Sequence, residues 1–482
     1  MKHKLLILCL AALLMFSLCG CQDYTEDVTE FAMIAESGDL SALDAYPNLE
    51  YVDLRGSTCY DEILSYAKAH PHVTVRYNVD LGSAKFNQDV TEIQLYADDF
   101  RFDTMLENLR YLPELQSLRL IHTDLGAGQL ETLISTYPHI DISYNVKYSG
   151  HEYECTDAEL DLSYISPEDV PHVVSVLAVL PDVTDVHLSS GSGDSHLEIS
   201  DVKVLVDAYP DITFHYNFTL FGQRLSINDP QMIFDEVPIG NDGVPKIRAA
   251  LDVMKHCSYV VLDSCKIDDS VMAQLRDDYP EKEIVWRIFV DRYSLLTNEE
   301  MIRMTAKLTD ENTKPLKYCT KVKYLDINYN VLTDISFVSY MPELECAILN
   351  LTQVSDLSPL TNCQKLLWLE LFSCSKLEDI SCLAEIKSLK YLNIAQTDVS
   401  DISCLDNLPL ERFVCTKSKV TNKSFEAFVN KHPDCMAVNK NSTVGYGWRY
   451  NEPNQSDPFE YYLKMEEVFR YKDKNYKGNR KE

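Results

Sequence analysis

The sequence predicts an α/β solenoid, a chain of strand-bearing coils stacked so that their strands form one curved parallel sheet with helices behind it. Three observations predict it. Asp334-Ile-Ser, Asp356-Leu-Ser, Asp379-Ile-Ser and Asp401-Ile-Ser recur at steps of 22, 23 and 22 residues, and a fixed period in this range marks stacked repeats. Between them, apolar residues alternate as short strands do. Upstream, four proline-led strands recur at 67, 72 and 70 residues.

The 22-residue coils carry the pattern most clearly. Val322, Leu325, Ile327 and Leu332 mark one coil, and Leu344, Ala347, Leu349 and Val354 the next. Leu366, Leu369, Leu371 and Leu377 follow, then Leu389, Leu392, Ile394 and Val399, then Leu410, Phe413, Cys415 and Val420. Leu-x-Leu segments place one face inward, and no single coil covers that face, so coils stack into a continuous core. The pattern L-x-x-L-x-L-x-x-N/C-x-L over roughly residues 315–425 resembles leucine-rich repeats, and the 22-residue step with its Asp-Ile-Ser phrase resembles the internalin type of bacterial surface protein. The polar slot holds Asn330, Thr352, Cys374, Thr397 and Ser418. In the family that side chain bonds the backbone of the turn. Thr and Ser substitute more weakly and Cys poorly, so the turn after Leu371 is expected to be irregular.

The resemblance implies a leucine-rich-repeat solenoid with a curved parallel sheet, helices on the convex side and longer irregular N-terminal repeats. Residues 45–315 read as long divergent α/β repeats of about 70 residues. Each combines strand, helix, strand, helix and an extended strand or hairpin, as in Gln129–Tyr137 followed by Pro138-His-Ile-Asp-Ile-Ser-Tyr-Asn. Residues 316–425 form the 22-residue repeats. Residues 426–482 read as a C-terminal cap and basic tail, with Gly445-Tyr-Gly-Trp-Arg-Tyr450 and a short helix over 459–471 packing on the open end of the stack.

The N-terminus sets the compartment. Met1-Lys-His-Lys4 and an apolar run from Leu5 to Phe16 are too short to span a bilayer and read as a signal peptide. Leu18-Cys-Gly-Cys21 resembles the lipobox of bacterial lipoproteins, which implies cleavage before Cys21 and acylation of its thiol. Residues 1–21 are then the signal peptide and 22–44 a tether, giving an extracytoplasmic, lipid-anchored protein at the bacterial cell surface. A net charge of −31 excludes general nucleic-acid binding. Of the cysteines, Cys319, Cys363 and Cys415 fall on apolar slots and pack as small hydrophobes. Cys382 and Cys404 share one repeat position and are candidates for a bridge. There is no C-x-x-C pair and no Cys/His cluster at zinc spacing, so no metal or cofactor is expected.

Candidate binding residues follow from the register. Tyr324, Cys346, Trp368, Tyr391 and Arg412 should form one ladder on the concave face. Asp326, Ile348, Glu370, Asn393 and Val414 should form a second, and Asn328, Asn350, Phe372, Ala395 and Thr416 a third. Tyr329 flanks the first coil. From these, Tyr324, Asp326, Tyr329, Trp368, Glu370, Phe372, Tyr391, Asn393 and Arg412 are the expected ligand contacts, since exposed aromatics dominate interface hot spots. On this reading Trp368→Ala together with Tyr391→Ala weakens binding and leaves thermal unfolding nearly unchanged. The recurring Tyr77-Asn78, Tyr144-Asn145 and Tyr216-Asn217 pairs read as structural. No catalytic motif is present. The expected function is therefore non-catalytic recognition of a protein, peptide or glycan. The alternatives are an envelope-anchored hydrolase with a site in the N-terminal repeats, and a scaffold lipoprotein that holds a secreted partner.

Overall fold

A computed structural model describes residues 27–35, 40–190 and 195–480. Cys21 and the segment expected to be a signal peptide lie outside them. The chain divides into two compact units, residues 1–218 and 219–482.

The first unit is built from parallel strand triplets. Glu30–Ala32, Tyr51–Asp53 and Thr74–Arg76 pair in parallel, as do Glu92–Tyr96, Ser117–Ile121 and Asp141–Tyr148, and then Glu159–Asp161, Asp185–His187 and Thr213–His215. Helices Tyr60–Ala69, Ala127–Thr136, Val170–Leu177 and Ile199–Ala208 connect them. The last strands of the first two triplets, Thr74–Arg76 and Asp141–Tyr148, run on into antiparallel hairpins.

The recurring residues explain themselves as fastenings between segments. The hydroxyls of Tyr77 and Tyr144 donate to the carbonyls of Tyr111 and Val179, 34 and 35 residues on, and Tyr216 donates to Leu197. The Oδ1 atoms of Asn78 and Asn145 accept from the amides of Gly56 and His122. The tyrosines before the block-ending prolines act similarly: Tyr137 and Tyr209 reach back to the carbonyls of Leu106 and Val174. Each gives a tyrosine hydroxyl a carbonyl partner in a distant segment, so that the phenol is bonded where it is buried.

The second unit opens with one more long block, in which Gln231–Asp235, Tyr259–Asp263 and Glu283–Val290 pair in parallel and Tyr293–Leu296 closes a hairpin. Trp286 takes the tyrosine's place here, and its indole N–H donates to Asp269. A seven-stranded parallel ladder follows, one strand per coil, from Met301–Arg303 through Tyr324–Asp326, Cys346–Ile348, Trp368–Glu370, Tyr391–Asn393 and Arg412–Val414 to Met436–Val438. These are leucine-rich-repeat coils. The ladder reaches back to Met301, inside the stretch expected to belong to the long repeats.

The inward residues Leu325, Ala347, Leu369, Leu392 and Phe413 are all fully buried. The convex side of the earlier coils is made of 3-10 turns such as Ser336–Tyr340 and Ser381–Glu385, and the connection into the last strand is an α-helix over Asn422–Lys431. The Asp-x-Ser phrase starts each turn: Asp334, Asp356, Asp379 and Asp401 accept from the amides of Ser336, Ser358, Ser381 and Ser403 at 2.7–2.9 Å. This satisfies a donor that the turn leaves free.

The polar slots are filled as backbone staples. Asn330 donates to Met304, Ile327 and Asn328 carbonyls and accepts from Leu308. Thr352, Thr397 and Ser418 each bond the carbonyl three residues back. The expected irregularity after Leu371 is absent at the turn itself. Ser373 has φ 61°, matching Tyr329, Leu351, Gln396 and Lys417 at 58–60°, and the Cys374 thiol reaches the Leu349 carbonyl at 3.2 Å. The extra residue of this coil falls later, between Cys374 and Leu377. Cys382 and Cys404 are unbonded; the Cys404 thiol is directed instead to the Ile380 carbonyl at 3.3 Å.

Candidate functional site

The concave face of the ladder carries the expected side chains in the expected register. Tyr324, Cys346, Trp368, Tyr391 and Arg412 are successive strand partners, and so are Asp326, Ile348, Glu370, Asn393 and Val414. The face is not open. Residues 443–480 run back across it as a strap, with a helix over Glu460–Val468. Trp368 is 0% exposed and Tyr391 7%, so the expectation of an exposed Trp368 is corrected. The cap expected on the open end of the stack lies in the hollow instead. The reason is physical: a row of Trp, Tyr and aliphatic side chains on a sheet face is a larger apolar surface than the exposed edge of one coil, and burying it is favoured in proportion to its area.

Helical spacing supplies the cover. Tyr461, Met465 and Phe469 stand four residues apart on one helix face, and Tyr462 lies beside them. Trp448 meets Trp368 at 4.2 Å between ring centroids, and Tyr461 stacks on Trp368 at 5.4 Å. Tyr391 meets Phe459 and Tyr461 at 5.2 and 5.1 Å, and Phe469 stands edge-on to Tyr324 at 6.4 Å. The Arg412 guanidinium lies 3.6 Å over the Phe459 ring, a cation–π contact made strong by its desolvation. Burial holds the Arg412 pKa below its ordinary value.

Two buried carboxylates fix the strap's polar groups. Glu370, whose side chain is 1% exposed, accepts from four donors. Trp368 and Trp448 indole N–H groups reach Oε1 at 3.1 and 2.9 Å, while Asn350 and Arg449 donate to Oε2. Asp326 accepts from the Tyr471 hydroxyl at 2.8 Å. Burial raises its pKa from 3.8 to about 6, against the lowering effect of the Tyr471 hydrogen bond, with Glu370 adding to the rise and Arg303 opposing it. Asn393 donates to the Thr443 carbonyl at 2.8 Å. The hydroxyls of Tyr324 and Tyr391 donate to Glu345 and Glu411 at the rim, and Lys464 of the strap sits over the Tyr324 ring and within 3.4 Å of Glu345.

Of the nine expected contact residues, Tyr329 alone is not brought into this cluster. It is 69% exposed and sits at the left-handed step that ends the strand, which turns its side chain away from the ladder. Phe372 is half-buried at the cluster's margin. The residues that sequence reasoning did not place here are Trp448, Arg449, Phe459, Tyr461, Met465, Phe469 and Tyr471. Their signal was the 461/465/469 spacing and the aromatic density of the segment.

Asp326 makes a pH prediction. Its pKa is raised in the folded state, so folding takes up a proton, and stability falls as pH rises from about 4 through 6. Asp326→Asn is expected to leave stability nearly unchanged at pH 4 and to raise it at pH 7.5 by about 2–3 kcal/mol. Denaturant titrations at the two pH values check this. An equal effect at both would remove the carboxylate from the cause.

Outside the hollow, a cavity of about 370 Å³ in the second unit has Glu281 and Glu283 among its lining residues, with Arg276, Lys282 and Lys321. One of about 980 Å³ in the first unit has Asp27 and Glu50, with His72. Among the described residues no group of three His, Cys, Asp or Glu is placed to hold a metal ion, and no helix is long and apolar enough to cross a membrane.

No protein-family model matches the chain, and no curated protein matches it. Solved structures do. An internalin, InlF, from Listeria monocytogenes is 15% identical, with 86% of this chain and 80% of that chain covered at a TM-score of 0.25. A leucine-rich-repeat protein from Leptospira interrogans is 14% identical, with 86% and 96% covered at 0.27. The functional domain of InlJ from Listeria monocytogenes, which includes a cysteine ladder, is 12% identical, with 90% and 73% covered at 0.23. At these scores the leucine-rich-repeat fold stands on the coil geometry described above, not on the likeness.

Proposed function

We propose that the chain is a non-catalytic binding protein, held at the bacterial cell surface through an acylated Cys21, that recognises a protein, peptide or glycan through the concave face of its coils. One observation carries the reading: the hollow already holds an aromatic peptide segment by the means a peptide-binding groove uses. Aromatic side chains meet in a dry centre, carboxylates at the floor accept indole and guanidinium donors, and charged groups line the rim. The concave ladder is the continuous surface that stacked coils supply at no extra cost in loops.

The test is a binding screen of the purified chain against glycan arrays and surface-protein extracts, repeated with Glu370→Gln. Saturable binding of one ligand class, weakened by that substitution, supports the reading. Turnover of a peptide or glycan by the purified chain overturns it, and binding that ignores the substitution moves the site elsewhere. For the anchor, Cys21→Ala is expected to shift the protein from the membrane fraction to the soluble fraction, because stable attachment needs the acyl chains. Unchanged membrane retention would count against the lipid.

A further inference from the structure

We infer that the strap is an internal occupant of the hollow, and that the hollow's external partner is a segment of the same chemistry, an aromatic amphipathic helix carrying an arginine, which binds by displacing the strap. The inference rests on the binding reading above and adds the partner's chemistry and the regulation of the site.

The fit between strap and floor is incomplete where the coil core is complete. Among the described residues, six buried side-chain polar atoms have no hydrogen-bonding partner in the protein, and four of them lie on the concave ladder or the strap. Asn328 Oδ1 and Thr416 Oγ1 are on the ladder; Arg449 Nε and the Tyr461 hydroxyl are on the strap. Leaving such a group unpaired costs about 1–3 kcal/mol. By contrast, every polar slot of the coils, from Asn330 to Ser418, is bonded to backbone. A segment that offers a donor to Asn328 and a partner to Thr416 therefore competes with the strap on favourable terms.

Charge points the same way. Residues 439–480 hold eight Lys and Arg against six Asp and Glu, in a chain whose net charge is −31. The acceptors in and around the floor, Asp326, Glu370 and Glu345, each meet a donor from the strap: Tyr471, Trp448 with Arg449, and Lys464. Once the strap leaves, two buried carboxylates need donors again, and phenol, indole and guanidinium groups are the ones whose geometry they already accept.

The strap is also fastened at its far end. Asn479 accepts from the Ser294 amide and, through its side chain, from the Arg303 amide. That end can be loosened without touching the aromatic centre. A strap that opens only part of the time lowers the apparent affinity of any competitor by the open fraction, so loosening it should tighten binding.

The test titrates a labelled peptide of residues 444–471 into the full chain as wild type, Trp448→Ala, Asn479→Ala and Trp448→Ala with Glu370→Gln. The peptide is expected to bind Trp448→Ala at least about tenfold tighter than wild type, a difference well within what one interface tryptophan supplies. Asn479→Ala is expected to move the same way by less. Adding Glu370→Gln should cost about tenfold, and a scrambled peptide should not bind. Equal affinity for wild type and both strap variants overturns the inference.

Amide hydrogen exchange on the wild type keeps the test independent of variant folding. Amides of 461–469 are expected to exchange at least about tenfold faster than those of 391–393, since segments that open locally lie at the low end of the stability range. Equal protection overturns the inference by making the strap part of the permanent core. Failure of the underlying binding reading has a different signature. The peptide then exchanges into the variants, but no external protein or glycan competes with it.

Discussion

Trp368→Ala is expected to destabilise the second unit by about 3–5 kcal/mol, the usual cost of emptying a buried tryptophan site. The ring is fully buried and meets Trp448, Tyr461 and Tyr391 at 4.2, 5.4 and 5.5 Å. Such aromatic pairs contribute about 0.5–1.5 kcal/mol each beyond area alone, so the loss is felt on both the ladder and the strap. The indole N–H also leaves Glu370 one donor short. Denaturant unfolding followed by near-ultraviolet circular dichroism checks this, because the closely stacked Trp368–Trp448 pair should dominate that signal. A loss under about 1 kcal/mol would mean that the strap does not sit on this ring. The result expected is the opposite of what the sequence reading gave for this residue.

Glu370→Ala is expected to cost about 3–5 kcal/mol as well, for an electrostatic reason. Removing one partner of a buried charged pair leaves the other uncompensated. Here Arg449, with 27% of its side chain exposed, loses its carboxylate, and the Trp448 indole and Asn350 amide lose their acceptor in a dry site. Glu370→Gln should cost less. It keeps an acceptor for the two indoles and turns the other oxygen into a donor that faces Asn350 and Arg449. Unfolding midpoints of the two variants at equal salt check the order. A midpoint for Glu370→Ala at or above that of Glu370→Gln would show that the carboxylate is not what holds the strap.

The coil register was legible because the signals that set it are local. Leu325, Leu349 and Leu392 declare an inward face by alternation, and the Asp-x-Ser phrases mark each turn by a bond two residues long. The ladder positions of Tyr324, Trp368 and Tyr391 follow by counting. Their cover was not legible from counting, since the Trp448 indole that bonds Glu370 lies 78 residues further on. The spacing of Tyr461, Met465 and Phe469 announced a helix with an aromatic face, but such a face suits an open coil edge as well as a hollow. What decides between them is the apolar area each offers, which is a property of the assembled sheet. The position of Tyr329 outside the cluster was not legible for another reason: the left-handed step at φ 59° leaves no mark in a Leu-x-Leu pattern, and in the first two of these coils it falls on Tyr329 and Leu351, residue types that seldom adopt it.

A stack in which each turn touches only its neighbours bends easily, like a spring. In this chain one covalently attached span joins distant points of the bow. Arg303 on the first strand grips the Phe469 carbonyl at 2.8 Å, and Arg412 on the sixth holds the Trp448 carbonyl and Asn451. The span is a chord drawn across the arc, and while it is seated the curvature of five intervening turns is set by its length. Unseating it frees the arc to open, so mechanical compliance and vacancy of the groove change together.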